Sequence, residues 1–201
     1  MSRIKICGLR RECDIEYANE LMPDYIGYVF WEKSRRNVTP KRAAEFTGRL
    51  LKTIVPVGVF VDADIDFAAG LANEGIIRMI QLHGHEDEKY IQTLRSLTDV
   101  PVIKAYKVRG SEDVQLANIS SADYVLLDNG YGTGQTFDWQ YVKDAKRPFF
   151  LAGGVDADNV AQILRDMKPY AVDISSGVET DGYKDYEKMK TFVDAVRNTD
   201  K

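Results

Sequence analysis

The chain opens with the run Ile4-Lys5-Ile6-Cys7-Gly8, which alternates apolar and polar side chains as a β-strand does. In a strand, Lys5 and Cys7 share one face, and Gly8 lets the backbone turn close to a ligand. Seven more short apolar runs follow, and the same kind of element is expected at each. They begin near Tyr25, Ile54, Met79, Val102, Tyr124, Phe149 and Ala171.

The spacing of the eight runs is typical of repeated strand–helix units. Successive runs start between 21 and 29 residues apart, which fits one strand, one helix and two short loops. Helical periodicity fills the gaps, as in Val160, Ile163 and Met167, and Thr39-Pro40 is a typical helix start. Eight strands alternating with eight helices predict an α/β fold, a (β/α)8 TIM barrel. We expect residues 1–201 to form this single domain, with a parallel eight-stranded barrel ringed by helices.

Two other folds fit the spacing less well. An open doubly wound sheet usually has fewer strands, and Cys7-Gly8-Leu9-Arg10 lacks the glycine-rich fingerprint of a dinucleotide site. A leucine-rich solenoid has a similar period, but its pattern of leucine and asparagine is absent.

Composition argues against several classes of partner. The net charge is −4, and the scattered Lys and Arg form no basic tract for nucleic acid or an anionic membrane. No run approaches the roughly 18 apolar residues of a membrane span. Because Met1 leads almost directly into the first strand, we expect no signal peptide. Cys7 and Cys13 form no disulfide or zinc framework, which indicates reduced thiols in a cytoplasmic protein.

Polar residues and glycines close the predicted strands. In a (β/α)8 barrel the carboxyl ends of the strands and the loops after them build the active site, so these residues are the candidates for chemistry. They are Cys7, Arg35, Arg36, Asp62, Gln81, His83, Lys104, Asp128, Gly153, Gly154, Asp173, Ser175, Ser176 and Gly177.

Small residues after strands seven and eight predict a phosphate site. Gly153-Gly154 and Ser175-Ser176-Gly177 stand where barrels that bind phosphate expose backbone N–H groups to the anion. The alternative, in which these glycines only allow the chain to turn, stays open.

The phosphate loops would lie between the strand of Asp128 and the strand of Cys7, because strands six, seven, eight and one are consecutive in a closed ring. A sugar phosphate held there could meet an acid and a base together. A thiol base needs nearby positive charge, for which Lys5 is the candidate, and a carboxyl acid needs a pKa raised by apolar surroundings. The structural alternative is that Cys7 is a small buried hydrophobe.

At these residues the chain resembles phosphoribosylanthranilate isomerase, an enzyme of tryptophan biosynthesis. The matching motifs run in the same order from one end of the chain to the other, and the series carries the resemblance better than any one motif does. They are Lys5-Ile6-Cys7-Gly8, Gly27-Tyr28-Val29-Phe30, Ser34-Arg35-Arg36, Val57-Gly58-Val59-Phe60-Val61, Gln81-Leu82-His83-Gly84, Leu126-Leu127-Asp128, Gly132-Thr133-Gly134, Phe137-Asp138-Trp139, Ala152-Gly153-Gly154, Asn159-Val160 and Asp173-Ile174-Ser175-Ser176-Gly177-Val178-Glu179.

The resemblance implies an Amadori rearrangement that turns an aminoaldose into an aminoketose. Cys7 matches the general base of the family and Asp128 its general acid. The reaction involves no net redox change, so neither a cofactor nor a metal is expected. A histidine-pathway isomerase remains an alternative, although such enzymes typically use two aspartates. So does a catalytically silent barrel that binds a phosphorylated metabolite.

The resemblance also implies a set of substrate contacts. Arg36 matches the residue that faces the anthranilate carboxylate, although Arg35 stands where many relatives have proline, so either arginine could make the contact. His83 is expected to orient the substrate or another side chain. Gly134 belongs to the stretch from Gly130 to Gly134, which resembles a lid, although a solvated loop is the alternative. We expect a phosphorylated small-molecule substrate and a monomer, and association with the next pathway enzyme stays open.

Overall fold

A closed barrel of eight parallel strands forms the centre of the molecule. The computed structural model describes residues 2–128 and 140–199. The strands follow one another around the ring in chain order, and the barrel closes because β1 pairs with both β2 and β8. The predicted parallel barrel is therefore confirmed. The strands are Arg3–Cys7 (β1), Tyr25–Phe30 (β2), Val55–Phe60 (β3), Met79–Leu82 (β4), Val102–Lys107 (β5), Tyr124–Asp128 (β6), Phe149–Ala152 (β7) and Ala171–Ile174 (β8).

Seven α-helices surround the barrel in the part of the chain that the structure describes. Thr39 caps the second helix as predicted, because its side chain accepts a hydrogen bond from the Arg42 backbone. Acidic side chains cap the third and fourth helices at Asp64 and Asp87. The helices are Glu12–Leu21 (α1), Pro40–Arg49 (α2), Ile65–Asn73 (α3), Glu88–Leu97 (α4), Ser111–Ile119 (α5), Val160–Met167 (α6) and Tyr186–Thr199 (α7).

The prediction of eight helices is wrong for the described residues. Between β6 and β7 the described residues, 140–148, form one short 3₁₀ helix, Tyr141–Asp144, and no α-helix. Four residues are too few for a helical stripe, so only Val142 of this segment is buried against the core. Helix α5 does form, although its apolar pattern is the weakest of the set.

The strands are buried on both faces, as parallel strands usually are. One apolar cluster lies between the strands and the helices and includes Ile4, Ile6 and Phe60. A second fills the barrel interior, with Tyr25 and Phe150 among its members. This inner cluster closes the amino-terminal end of the barrel, so the open cavity lies at the carboxyl ends of the strands.

A two-stranded ribbon follows β8 and leads into α7. Its strands are Glu179–Thr180 (β9) and Tyr183–Lys184 (β10), which pair antiparallel. Arg10 anchors the ribbon to the start of α1, since its guanidinium covers the Tyr183 ring at 4.4 Å and donates to the Gly182 carbonyl. The ribbon thereby brings Glu179 and Lys184 to the rim above β1 and β2.

Among the described residues, no helix is both long and apolar enough to cross a membrane. That residues 1–201 make up a single domain stays a prediction.

Candidate active site

One cavity of about 370 Å³ opens at the carboxyl ends of the strands. The carboxyl ends of β1 and β6 and the loops after β2, β3, β4, β7 and β8 contribute to its walls. Eleven of the candidate residues from the sequence line this cavity. They are Cys7, Arg36, Gln81, His83, Asp128, Gly153, Gly154, Asp173, Ser175, Ser176 and Gly177.

Cys7 ends β1 and is positioned by its neighbours on both sides. Gly27 of β2 leaves room for the thiol, because a Cβ there would lie 2.6 Å from Cys7 Sγ. On the other side, Ser175 Oγ donates to the Cys7 carbonyl at 3.0 Å. Burial raises the pKa of the Cys7 thiol above its usual value, while Lys5 and Lys184 act to lower it. The predicted effect of Lys5 therefore has the right sign, but in the free protein burial outweighs it.

Lys5 and Asp173 form a buried ion pair beneath the cavity. Lys5 Nζ lies 2.7 Å from Asp173 Oδ2, and the lysine side chain is completely buried. Burial opposes the charge on Lys5, but Asp173 and Cys7 outweigh it and raise the pKa of the ammonium. The other oxygen of Asp173, Oδ1, has no hydrogen-bond partner among the described residues, and Asp173 lines the cavity. Asp173 thus joins β8 to β1.

His83 connects Asp128 to the barrel interior. His83 Nε2 lies 3.5 Å from Asp128 Oδ2, and His83 Nδ1 lies 2.8 Å from Gln81 Nε2. With the Gln81 amide nitrogen as donor, Nδ1 accepts and the imidazole proton resides on Nε2, facing the carboxyl group. Gln81 is almost fully buried, so it can hold the ring in one orientation.

The loops after β7 and β8 have the backbone that a close-fitting anion site requires. Gly153 and Gly154 both have positive φ, at 79° and 69°, a conformation that side chains with a Cβ rarely adopt. Gly177 lies in a tight turn, because a Cβ there would stand 3.0 Å from Ile174 Cδ1 and 3.1 Å from the Val155 carbonyl oxygen. These glycines allow a ligand to approach the backbone directly.

Arg36 lies on the opposite wall, after β2, and is held by Glu179. Its Nε donates to Glu179 Oε1 at 2.7 Å and its Nη2 donates to Oε2 at 2.8 Å. Arg35 also contacts Glu179, at 3.1 Å, but 60% of its side chain is exposed, compared with 20% for Arg36. Of the two arginines only Arg36 lines the cavity.

Asp62 and Lys104, two further candidates, lie outside the cavity lining. Asp62 pairs with the exposed His85 on the rim, outside the cavity lining. Lys104 is buried against Glu86 at 2.8 Å and holds the loops below the rim together. Gly134 and the stretch from Gly130 to Gly134 lie outside the described residues, so the lid stays a prediction. Residues 2–128 and 140–199 contain no group of three or more His, Cys, Asp or Glu side chains that could hold a metal ion.

Comparison with known proteins identifies the family of this chain. The sequence model described as PRAI, N-(5'phosphoribosyl)anthranilate (PRA) isomerase, matches residues 4–195. This chain belongs to that isomerase family. A relative, the N-(5'-phosphoribosyl)anthranilate isomerase of Thermoanaerobacter sp. (strain X514), is 43% identical over 204 residues, which cover 98% of each chain.

Solved structures of phosphoribosylanthranilate isomerases have the same architecture. The enzyme from Thermotoga maritima superposes with a TM-score of 0.89 at 32% identity, covering 98% of this chain and all of its own. A further isomerase structure, in complex with reduced 1-(o-carboxyphenylamino)-1-deoxyribulose 5-phosphate, has a TM-score of 0.87 at 31% identity, with the same coverage.

Two residues that support Arg36 beside the cavity could not be predicted from the motifs. Glu179 closes a family motif that does not itself indicate its role, and Lys184 lies outside every motif. Both are nearly fully buried, and Lys184 Nζ donates to Glu179 at 2.7 Å. The available signal was that a glutamate and a lysine flank the short turn Asp181-Gly182, where a hairpin brings them side by side.

Proposed function

We propose that this chain catalyses the Amadori rearrangement of N-(5-phosphoribosyl)anthranilate to 1-(2-carboxyphenylamino)-1-deoxyribulose 5-phosphate in tryptophan biosynthesis. In this proposal Asp128 is the general acid and Cys7 the general base. The observation that carries it is that a member of this isomerase family has both groups in one cavity with the glycine loops of β7 and β8.

Asp128 starts the reaction by protonating the ring oxygen of the ribose. The ring then opens, and the nitrogen lone pair forms an iminium ion at C1. A carboxyl group at the end of β6 suits this role because the His83 ring lies 3.5 Å away and limits its orientations. The hydrogen bond from Gln81 restrains the His83 ring, so the Asp128 carboxyl group faces an imidazole of fixed orientation.

Cys7 then removes the proton from C2, which the neighbouring iminium has made acidic. The enolamine formed in this step tautomerises to the ketone. In the free protein, burial favours the neutral thiol, so the base must be activated when substrate is bound. The positive charge of the iminium supplies that activation, since a nearby cation favours the thiolate over the thiol.

The phosphate is held by the loops that contain Gly153, Gly154, Ser175, Ser176 and Gly177. Positive φ at Gly153 and Gly154 exposes the backbone at the cavity wall, as an anion site requires. On the far wall, the Arg36 guanidinium is the partner for the anthranilate carboxylate, because its planar donors can pair with both oxygens. Anchored at both ends, the substrate presents C1 and C2 between the acid and the base.

The test is turnover of freshly generated phosphoribosylanthranilate, followed spectroscopically. We expect Cys7→Ser and Asp128→Asn to lower kcat by roughly 100-fold or more. Binding of reduced 1-(o-carboxyphenylamino)-1-deoxyribulose 5-phosphate should persist in both variants, because neither change touches the phosphate loops. Near-normal turnover in both variants would refute the assigned roles.

Matched controls come from the chain itself. Cys13→Ser removes the other thiol, and Asp62→Asn removes a carboxylate that follows β3 outside the cavity lining. Both should turn over at the rate of the unchanged protein. If the protein binds the analogue without any turnover, it is a silent barrel. If it turns over only the histidine-pathway aminoaldose, the alternative isomerase is correct.

We also propose a cytoplasmic location and a monomeric state. The location is supported by two free thiols at Cys7 and Cys13, which a reducing compartment preserves. Cell fractionation tests the location. Light scattering with and without the next pathway enzyme tests the monomer and its association.

A further inference from the structure

We infer that Glu179 is a positioning residue that fixes the Arg36 guanidinium for a carboxylate on the aromatic ring of the substrate. Through Arg36 it selects an aromatic amine that bears an ortho-carboxylate over one that does not. The inference rests on the proposed function, in which Arg36 meets the anthranilate end of the substrate.

The hydrogen bonds between the two side chains leave part of the guanidinium available. Glu179 accepts from Nε and from Nη2 of Arg36, at 2.7 and 2.8 Å. An arginine has five N–H donors in one plane, so both N–H groups of Nη1 and the second N–H of Nη2 remain for a ligand. The edge of the guanidinium formed by Nη1 and Nη2 can receive a second carboxylate. The edge formed by Nε and Nη2 is held by Glu179, which fixes the plane of the group.

The stem of Arg36 is confined from the other side by Gly8. A Cβ at Gly8 would collide with Arg36 Cδ, so the methylene groups of the arginine lie directly on the glycine backbone. The Arg36 backbone N–H also donates to Ser34 Oγ at 3.1 Å. Held by Gly8 below and Glu179 at its tip, the side chain has little freedom left to lose on binding.

Glu179 itself is held firmly enough to serve as this support. Only 4% of its side chain is exposed, and Lys184 Nζ donates to its Oε1 at 2.7 Å. The same ammonium donates to the Ser175 carbonyl at 2.8 Å, which connects the support to the phosphate loop after β8. Although burial opposes its charge, hydrogen bonds from Arg36 and Lys184 lower the pKa of Glu179 to about 2, so it is ionised at any working pH.

The charges around Glu179 favour a second anion. Arg36 and Lys184 both lie 2.7 Å from its carboxylate, so two largely buried positive charges face one negative charge, whereas solvent screens the exposed Arg35. A ligand carboxylate would therefore add to the arrangement without displacing Glu179. The excess positive charge explains why Arg36 can hold its internal partner and still attract the substrate.

The test measures, by calorimetry, the affinity of the unchanged protein and of each variant for two ligands. One is reduced 1-(o-carboxyphenylamino)-1-deoxyribulose 5-phosphate, and the other is the same compound without the carboxylate. We expect the unchanged protein to prefer the first. Glu179→Gln should reduce that preference by roughly 10- to 100-fold, since a misplaced positioning group costs about this much. Affinity for the ligand without the carboxylate should stay within about twofold.

Two further variants make the result decisive. Arg35→Gln removes an exposed cation that also touches Glu179, and it should leave the preference unchanged. Glu179→Asp keeps the buried charge and shortens the side chain, so it should fold even if Glu179→Gln does not, and should show a smaller loss of preference. In turnover, the loss should appear in KM while kcat stays within about twofold.

Several outcomes would overturn the inference. They are an equal loss of affinity for both ligands, no change in either, or a loss of preference in Arg35→Gln alone. Failure of the proposed function looks different, because the unchanged protein would then not turn over phosphoribosylanthranilate at all.

Discussion

The buried pair of Lys5 and Asp173 gives the sharpest prediction about stability. At 2.7 Å, two unit charges attract by roughly 6 kcal/mol at an effective dielectric constant of about 20. Removing both charges from water costs several kcal/mol for each, so the intact pair is near balance. Removal of one partner leaves the other buried and uncompensated. We therefore expect Lys5→Met and Asp173→Asn each to lower the free energy of unfolding by about 3–5 kcal/mol.

The double variant Lys5→Met/Asp173→Asn tests this reasoning. Because it buries no charge, it should lose far less stability than the sum of the single variants, with a coupling of at least about 2 kcal/mol. Urea unfolding followed by circular dichroism measures all four proteins. Additive losses would refute the view that the pair acts as one unit.

The same variants change the titration of Cys7. Lys5 lowers the pKa of the thiol and Asp173 raises it, so Lys5→Met removes the stabilising charge and leaves the opposing one. The pKa of Cys7 should rise further in Lys5→Met, and alkylation by iodoacetamide at a fixed pH should slow. In the double variant the two effects oppose each other. The experiment is made in a Cys13→Ser background, and an unchanged midpoint in Lys5→Met contradicts the reasoning.

Three further predictions concern other contacts. Gly27→Ala should lower turnover at least tenfold with little change in ligand affinity, because the new methyl group displaces Cys7 Sγ. Kinetics measure the turnover and calorimetry the affinity, and a normal kcat would contradict the prediction. Lys104→Met should lower the free energy of unfolding by about 3–5 kcal/mol, because the Glu86 carboxylate, 1% exposed, keeps two backbone donors but loses its positive partner. Urea unfolding measures the loss, with Lys104→Met/Glu86→Gln as the control. The pKa of Glu179 is depressed in the folded state, so its contribution to stability is present above about pH 4.5 and is lost as pH falls toward 2. The free energy of unfolding, measured at pH 6, 4 and 3, should therefore fall more steeply in the unchanged protein than in Glu179→Gln. Parallel pH dependence in the two proteins would argue against this.

Much of the fold could be predicted because strand starts and stops are local signals. The predicted starts agree with the structure to within one residue, since the apolar runs and the glycines that end them do not depend on distant contacts. The helix expected between β6 and β7, which the described residues do not contain, had no such local signal. A helix was expected there because the repeat required it, although no apolar stripe supported it.

The site was predictable only as far as barrel geometry determines it. A closed ring brings the carboxyl ends of all strands to one rim, so Cys7, Asp128 and the glycine loops could be assigned to one cavity. The pairing of Lys5 with Asp173 depends on packing inside the barrel, where the balance between burial and charge cannot be read from order along the chain. The roles of Glu179 and Lys184 could not be predicted, because strands of two residues each are too short to show a periodic pattern.

The first and last strands of the barrel, β1 and β8, supply the two halves of one buried pair, from residues 168 positions apart. No partial chain can therefore hold Lys5 beneath the thiol, however many strand–helix units it has completed. Until β8 has been synthesised, one edge of β1 has no neighbouring strand and the Lys5 ammonium lacks the Asp173 carboxylate. Because burial raises the pKa of the Cys7 thiol, its reactivity should fall when β8 completes the barrel, and half-barrel fragments should show that fall only when mixed.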